Sequence, residues 1–171
     1  MKIVLLGYMA SGKSAVGKKL AKKMYLPFID LDAYIKKKEK LTVPEIFSKK
    51  GEIYFRKIEH TYLKELLLTD NKFILSLGGG TPCYAGNMDV ILQSNTASFY
   101  LQTGIKTLAE RLISGKIKRP LVANLSDEQL TEFIAKHIFE RRFFYEKATN
   151  TLKTDNKSVQ EIVTEIRMLL H

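Results

Sequence analysis

The chain of 171 residues is 45% hydrophobic and 27% charged, a composition that predicts one soluble globular domain over residues 1–171. No stretch approaches the roughly 20 apolar residues of a membrane span, and the single cysteine, Cys83, excludes an intrachain disulfide, so we expect a cytoplasmic protein. The net charge of +10 is spread along the chain, which favours small anionic substrates over nucleic acid as binding partners.

Five strand-like runs alternate with stretches that are long enough for helices. In chain order the runs are KIVLLG, PFIDLD, FILSLGG, SFYLQT and TLKT. Strands that are separated by crossover helices form a parallel sheet. The nearly continuous apolar character of the first and third runs is typical of strands covered on both faces. The pattern therefore predicts a three-layer α/β domain of about five parallel strands.

The first strand leads into GYMASGKS, Gly7 to Ser14. This stretch fills the template G-x-x-x-x-G-K-[ST] between a strand and a helix. In such a loop, backbone N–H groups and the positive end of the helix bind phosphate oxygens, while Lys13 reaches the β- and γ-phosphates and Ser14 ligates Mg²⁺. The alternative is a glycine-rich turn with an incidental lysine. The full match favours a site for a nucleoside triphosphate.

The strands that follow also end in residues suited to chemistry, at the sheet edge where parallel sheets bind ligands. FIDLD places Asp30 and Asp32 two residues apart, so their carboxylates point the same way in an extended chain. Beside a phosphate loop, one would hold hydrated Mg²⁺ and the other the attacking hydroxyl; the alternative is that they cap a helix beginning near Ala33. After the third strand, the glycines 78–80 predict a backbone that another group approaches closely.

Arg56 lies in GEIYFRKIE, with Glu52 four residues before it and Glu59 three after it, so the three side chains can meet on one helix face. A surface ion triad is the alternative to a binding role. Further along, SGKIKRPLVAN, residues 114–124, interrupts two helices and predicts a mobile cationic lid carrying Arg119, or else a solvated loop.

Between Leu130 and Tyr145 the apolar residues form one helical stripe that includes Arg141 and excludes Arg142. A buried, unpaired charge is costly, so Arg141 needs either a structural salt bridge or an anionic ligand. His137 shares the stripe, and we expect it to be packed rather than catalytic. The last helix has its own stripe and is capped by Asp155-Asn156 or by Ser158.

Taken together, the segments GYMASGKS, FIDLDAYI, FRKIE, SLGGG, RPL and ERRFFYEKA resemble the shikimate kinase family in their order and approximate spacing. The resemblance extends from Lys2 to the last helix. It implies a P-loop kinase of the nucleoside-monophosphate-kinase fold, in which ATP with Mg²⁺ donates its γ-phosphate to the 3-hydroxyl of shikimate. The products would be shikimate 3-phosphate and ADP, on the route to chorismate and the aromatic amino acids.

The resemblance also implies roles by position. Asp32 would hold the reacting hydroxyl and take its proton, and Glu59 would orient Arg56. The implied catalytic residues are Lys13, Asp32 and Arg119, and the implied metal residues are Ser14 and Asp30. The implied nucleotide-binding residues are Gly7, Ala10, Ser11, Gly12, Lys13, Ser14, Ala15, Arg111, Arg119, Lys157 and Ser158. The implied acceptor-binding residues are Asp32, Arg56, Gly78, Gly79, Gly80 and Arg141, with residues 31–60 as the acceptor-binding region.

The chain departs from the family pattern in three places. Ala10 replaces a frequent glycine, and Phe143-Phe144 replaces a Pro-containing turn. Lys116 and Lys118 make the lid more basic. Two arginines and an aspartate nevertheless describe a small anionic polyol as acceptor. The alternatives are another small-molecule or nucleotide kinase of this fold, and a noncatalytic nucleotide switch. We expect a monomer that binds neither nucleic acid nor membrane.

Overall fold

The computed structural model describes residues 1–115 and 122–170, in which strands and helices alternate. The strands are β1 (Lys2–Leu6), β2 (Phe28–Asp30), β3 (Phe73–Ser76), β4 (Thr96–Gln102) and β5 (Asn150–Lys153). The helices are α1 (Lys13–Met24), α2 (Leu31–Glu39), α3 (Val43–Leu68), α4 (Asn87–Gln93), α5 (Ile105–Gly115), α6 (Asp127–Tyr145) and α7 (Val159–Leu169), and a short 3₁₀ turn spans Thr81–Cys83. All five predicted strands are confirmed.

The strands form one parallel sheet in the order β2-β3-β1-β4-β5. Ser76 at the end of β3 pairs with Leu5 of β1 on one side and with Asp30 of β2 on the other. The carboxyl ends of these three strands therefore lie at one level. The segments that follow them, which the sequence marked as functional, emerge side by side at this edge.

Alternate residues of the sheet pack on opposite faces. Val4, Leu6 and Leu75 belong to the core beneath α3 and α6, whereas Ile3 and Leu5 face the core formed with α1 and α7. All five side chains are fully buried. Burial on both faces explains the uninterrupted apolar runs, and it confirms the predicted three-layer α/β fold.

The N-termini of α2 and α7 show which of the predicted capping residues is used. α2 begins at Leu31, two residues before the expected start, and Asp30 is its cap, since Asp30 Oδ1 accepts a hydrogen bond from Ala33 N at 3.0 Å. The alternative that Asp32 caps this helix is therefore wrong. α7 is capped by Ser158, whose hydroxyl accepts from Glu161 N at 3.2 Å, and not by Asp155-Asn156.

α3 is the longest helix and carries Arg56. A capping box of Thr42 and Glu45 starts it, and Gly51 interrupts it with φ of 85°, a left-handed conformation that favours glycine. Gly51 thus marks a kink between two helical segments, the second of which carries Arg56 and Glu59. Within the described ranges, no helix is both long enough and apolar enough to cross a bilayer.

Candidate active site

The loop between β1 and α1 has the backbone that its sequence predicts. Gly7 and Gly12 have φ of 147° and 95°, and a Cβ on Gly7 would lie 2.8 Å from the carbonyl oxygen of Leu101. Ala10 also adopts a left-handed conformation, with φ of 64°. This conformation costs an alanine roughly 1 kcal/mol. Glycine therefore suits the position better, but the cost is small enough for alanine to be tolerated.

Lys13 is folded across this loop. Its Nζ donates to the carbonyl oxygens of Gly7 and Tyr8, both at 2.8 Å, and lies 3.5 Å from Ser11 Oγ. The side chain is 9% exposed. The loop thus holds an ammonium group at the point where the helix N-terminus already favours negative charge.

Ser14 and Asp30 meet at the start of α1. Ser14 Oγ donates toward Asp30 Oδ2 at 3.5 Å, while the other oxygen of Asp30 caps α2. Hydroxyl and carboxylate oxygens fit Mg²⁺, which binds few protein ligands and completes its octahedron with water and phosphate oxygens. The described residues contain no group of three or more His, Cys, Asp or Glu side chains that could hold a metal.

Asp32 faces the same cleft from the first turn of α2. Its carboxylate is accessible from the cleft but has protein on most other sides, and this desolvation, followed by the nearby charges of Asp30 and Glu59, raises its pKa to about 6. Lys13 and Arg56 act in the opposite direction and only partly offset the rise. A carboxyl group with such a pKa is ionised at neutral pH and is a better proton acceptor than an ordinary aspartate.

The glycines after β3 are approached by three of the predicted acceptor-binding side chains. A Cβ on Gly78 would lie 3.3 Å from Asp32 Oδ1, one on Gly79 would lie 3.3 Å from Arg141 Nη1, and one on Gly80 would lie 2.9 Å from Arg56 Nη2. The predicted close approach to this backbone is therefore confirmed. The glycines bring together three side chains that come from α2, α3 and α6.

Arg56 forms the ion triad that its spacing predicts, but only Glu52 of the three side chains is exposed. Nη1 donates to Glu59 Oε1 at 2.8 Å, and Nε lies 3.8 Å from Glu52 Oε1. Glu59 is 1% exposed and also accepts a hydrogen bond from the Thr81 hydroxyl at 2.7 Å. Glu59 therefore fixes one edge of the guanidinium from within the protein.

Arg141 and Arg142 have the orientations that the helical phase of α6 predicts. Arg142 is exposed and pairs with Glu146 at 2.6 Å. Arg141 is half-buried, 5.7 Å from the Tyr8 ring centroid, and forms no salt bridge with any residue that the structure describes. Its surroundings thus favour an anionic ligand over a structural salt bridge. The Tyr145 hydroxyl donates to Gly79 O at 2.5 Å and fixes the same glycine that Arg141 approaches.

His137 is packed between the Tyr8 and Phe133 rings, and its Nδ1 is hydrogen-bonded to Tyr8 Oη at 3.0 Å. This confirms the expectation of a packed histidine. The bond joins α6 to the phosphate loop. Sequence reasoning missed Tyr8 because its side chain occupies one of the unspecified positions of the loop template.

A cavity of about 780 Å³ opens beside the phosphate loop. Its lining residues are Met9, Ala10, Ser11, Gly12, Lys13, Ser14, Ala15, Val16, Asp30, Asp32, Ser76, Leu77, Gly78, Gly79, Arg111, Gly115, Lys157, Val159 and Ile162. Arg111 Nη1 donates to Ala10 O at 2.9 Å, and Lys157 pairs with Glu165 at 2.6 Å. Ser158 is absent from this lining, and its hydroxyl caps α7.

Arg56 and Arg141 do not line this cavity, whereas Asp32 and Gly79 do. The two arginines lie next to Gly80 and Gly79. Arg119 and most of the predicted lid, residues 114–124, lie outside the described residues. Of that segment, α5 includes the first two residues, Ser114 and Gly115, and the Val122 side chain is fully buried.

The chain is similar to known proteins over nearly its whole length. The family model "Shikimate kinase" matches residues 9–171. Shikimate kinases of Flavobacterium psychrophilum and Flavobacterium johnsoniae are 49% and 47% identical to it over 169 residues, which cover 99% of this chain and 98% of each relative.

Solved structures agree with these matches. The crystal structure of shikimate kinase from Bacteroides thetaiotaomicron has a TM-score of 0.92 at 33% identity and covers 99% of this chain and 98% of that one. The Acinetobacter baumannii shikimate kinase in complex with shikimate has a TM-score of 0.87 at 30% identity, covering 99% and 92%. The chain therefore belongs to the shikimate kinase family, whose members are ATP-dependent kinases.

Proposed function

We propose that this chain transfers the γ-phosphate of ATP to the 3-hydroxyl of shikimate, giving shikimate 3-phosphate and ADP. The observation that carries the proposal is the convergence of Asp32, Arg141 and Arg56 on three consecutive glycines, directly beside the phosphate loop. A carboxylate for hydroxyls and two guanidinium groups for a carboxylate match the chemistry of a small anionic polyol. This activity belongs to the synthesis of chorismate and the aromatic amino acids.

In the proposed reaction, the 3-hydroxyl oxygen of shikimate attacks the γ-phosphorus, and the bond from that phosphorus to the β,γ-bridging oxygen breaks. Asp32 orients the hydroxyl and takes its proton, for which its pKa of about 6 is suited. Lys13 leaves the loop carbonyls to meet the phosphate oxygens, whose negative charge it neutralises as ADP departs. Because the transition state is loose, positioning and charge neutralisation supply most of the acceleration.

Ser14 and Asp30 would hold Mg²⁺, Ser14 directly and Asp30 through water. Mg²⁺ supplies positive charge to the β- and γ-phosphate oxygens when it is bound. Arg111 and Lys157 are proposed to border the adenine, together with Ser158 through its position rather than its hydroxyl. Arg119 is proposed to reach the phosphates from the lid at 114–124, with residues 31–60 as the acceptor-binding region.

Arg56 and Arg141, which approach Gly80 and Gly79, are proposed to bind the shikimate carboxylate, with Gly79 supplying a backbone contact. We further propose a cytoplasmic monomer that binds neither nucleic acid nor membrane. Support for this part comes from the spread of the positive charge along the chain, whose densest run, KKKEK at 36–40, contains no aromatic residue.

A coupled assay of ADP release tests the proposal. Purified protein is given Mg²⁺ and ATP alone, then with shikimate, gluconate or a nucleoside monophosphate in parallel. We expect ADP release to depend on shikimate and to remain near the acceptor-free background with the others. Gluconate is included because a gluconokinase of Sinorhizobium meliloti shares the fold, at 22% identity and a TM-score of 0.58. Slow ADP release that no acceptor accelerates would instead indicate a nucleotide switch.

A further inference from the structure

The guanidinium of Arg56 lies against an aromatic ring. Its Cζ is 3.8 Å from the ring centroid of Tyr84, compared with 5.1 Å for Phe55 and 6.0 Å for Phe47. A cation at this distance from a ring face is attracted by the negative electron density of that face. Tyr84 therefore makes the shortest of the three aromatic contacts to Arg56.

The polar contacts of Arg56 do not by themselves fix the orientation of its guanidinium plane. Glu59 accepts from Nη1 at 2.8 Å, but Nε is buried without a hydrogen-bond partner among the residues that the structure describes, since Glu52 is 3.8 Å away. One hydrogen bond fixes an edge of a planar group and permits rotation about that edge. Stacking on Tyr84 restricts this rotation.

The chain segment that carries Tyr84 is itself held firmly. Thr81, at the start of the same turn, donates to Glu59 at 2.7 Å, and its carbonyl accepts from Asn87 Nδ2 at 2.9 Å. Asn87 is fully buried, and its backbone N–H donates to Tyr84 O at 3.0 Å. The turn thus positions both the carboxylate at the edge of Arg56 and the ring on its face.

We propose that Tyr84 is a positioning residue for acceptor recognition, whose ring holds the Arg56 guanidinium in the plane needed to bind a carboxylate. Bidentate binding requires coplanar guanidinium and carboxylate groups, so fixing the plane beforehand lowers the ordering cost of binding. The Tyr84 hydroxyl has no hydrogen bond in the part of the chain that the structure describes, so the ring alone carries this role. The inference rests on the proposed function, in which Arg56 binds the shikimate carboxylate.

The test compares Tyr84→Leu with Tyr84→Phe in steady-state assays over shikimate and ATP titrations. Tyr84→Leu removes the ring face, and we expect the KM for shikimate to rise roughly fivefold with kcat within about twofold and the KM for ATP unchanged. Tyr84→Phe keeps the face and should remain within about twofold of the natural protein. Phe143→Leu is the matched control, because Phe143 lies under Lys147 at 4.6 Å, on the exposed side of α6.

A double-mutant cycle with Arg56→Ala tests whether Tyr84 acts through Arg56. In that background Tyr84→Leu should have no further effect on kcat/KM for shikimate. An equal effect in both backgrounds, or an unchanged KM in Tyr84→Leu alone, would overturn the inference and leave the proposed function intact. Loss of acceptor dependence in the natural protein would instead overturn the proposed function. Melting temperatures are measured throughout, and Tyr84→Met replaces the leucine variant if that variant does not fold.

Discussion

The phosphate loop takes eight consecutive residues, Gly7 to Ser14, whereas the proposed acceptor contacts come from four segments between Asp32 and Arg141. The loop relies on its backbone: two glycines with positive φ, a helix N-terminus and carbonyls that hold Lys13. The acceptor side relies on side chains that meet only over glycines 78–80. A backbone site recognises what all nucleoside triphosphates share, whereas a side-chain site distinguishes one acceptor from another.

This division predicts that variants of the loop abolish phosphoryl transfer itself. Lys13→Ala should lower kcat by about 10² to 10³, the scale of removing one preorganised charge donor. Lys19→Ala, on the exposed side of the same helix, should be close to the natural protein. Steady-state kinetics and a melting curve check both variants. Near-normal turnover of folded Lys13→Ala would contradict the assignment.

Asp32 lies between the phosphate loop and the proposed acceptor-binding side chains, and Asp32→Asn tests its role in catalysis. Removing the charge while keeping the size should lower kcat by about 10² and retain ATP affinity, because the proton acceptor is lost. Asp30, and not Asp32, caps α2, so this substitution leaves the capping hydrogen bond in place, and a melting curve checks the fold. Asp70→Asn, at an exposed position, is the control. Unchanged kcat would remove Asp32 from the proposed mechanism.

Arg141→Ala tests the acceptor side alone. Loss of one member of a partly desolvated charge pair should lower kcat/KM for shikimate by at least about 30-fold, with ATP affinity nearly intact. Arg142→Ala removes only an exposed pair with Glu146 and should change kcat/KM by a few-fold at most. Equal effects of the two substitutions would contradict the assignment by helical phase.

The pH dependence of kcat/KM should report the ionisation of Asp32. Asp32 must be ionised to accept a proton, so activity should fall about tenfold per pH unit below its pKa of about 6. The residual activity of Asp32→Asn should lack this decline. A natural protein whose kcat/KM stays level down to pH 5 would show that an ionised Asp32 is not required.

The smallest expected effect concerns stability. The pKa of Asp32 in the folded protein, about 6, is higher than the ordinary aspartate value of 3.8. The energetic penalty of ionising Asp32 is therefore fully present above about pH 6 and disappears as the pH falls below about 4. Asp32→Asn should therefore raise the melting temperature at pH 7 to 8 by roughly 2–4 °C, or about 1 kcal/mol after allowance for the accessible cleft. This gain should vanish near pH 4 in thermal melts. A gain that persists there would point to a cause other than charge.

The sequence alone determined the features that depend on local geometry. The five strands follow from their apolar runs, and the phosphate loop follows from glycines that permit positive φ. The outward orientation of Arg142 and the inward one of Arg141 follow from helical periodicity. Each of these depends on residues a few positions apart, so a pattern in the chain is enough to predict it.

Only the tertiary structure decided the features that depend on distant neighbours. Asp30 rather than Asp32 became the cap of α2, because the register of β2 with β3 sets where the strand ends and the helix starts. The raised pKa of Asp32 comes from desolvation and from Glu59 on another helix. Tyr84 reaches the face of Arg56 only because the turn after β3 is folded back onto α3, a contact between residues 28 positions apart that no local pattern encodes.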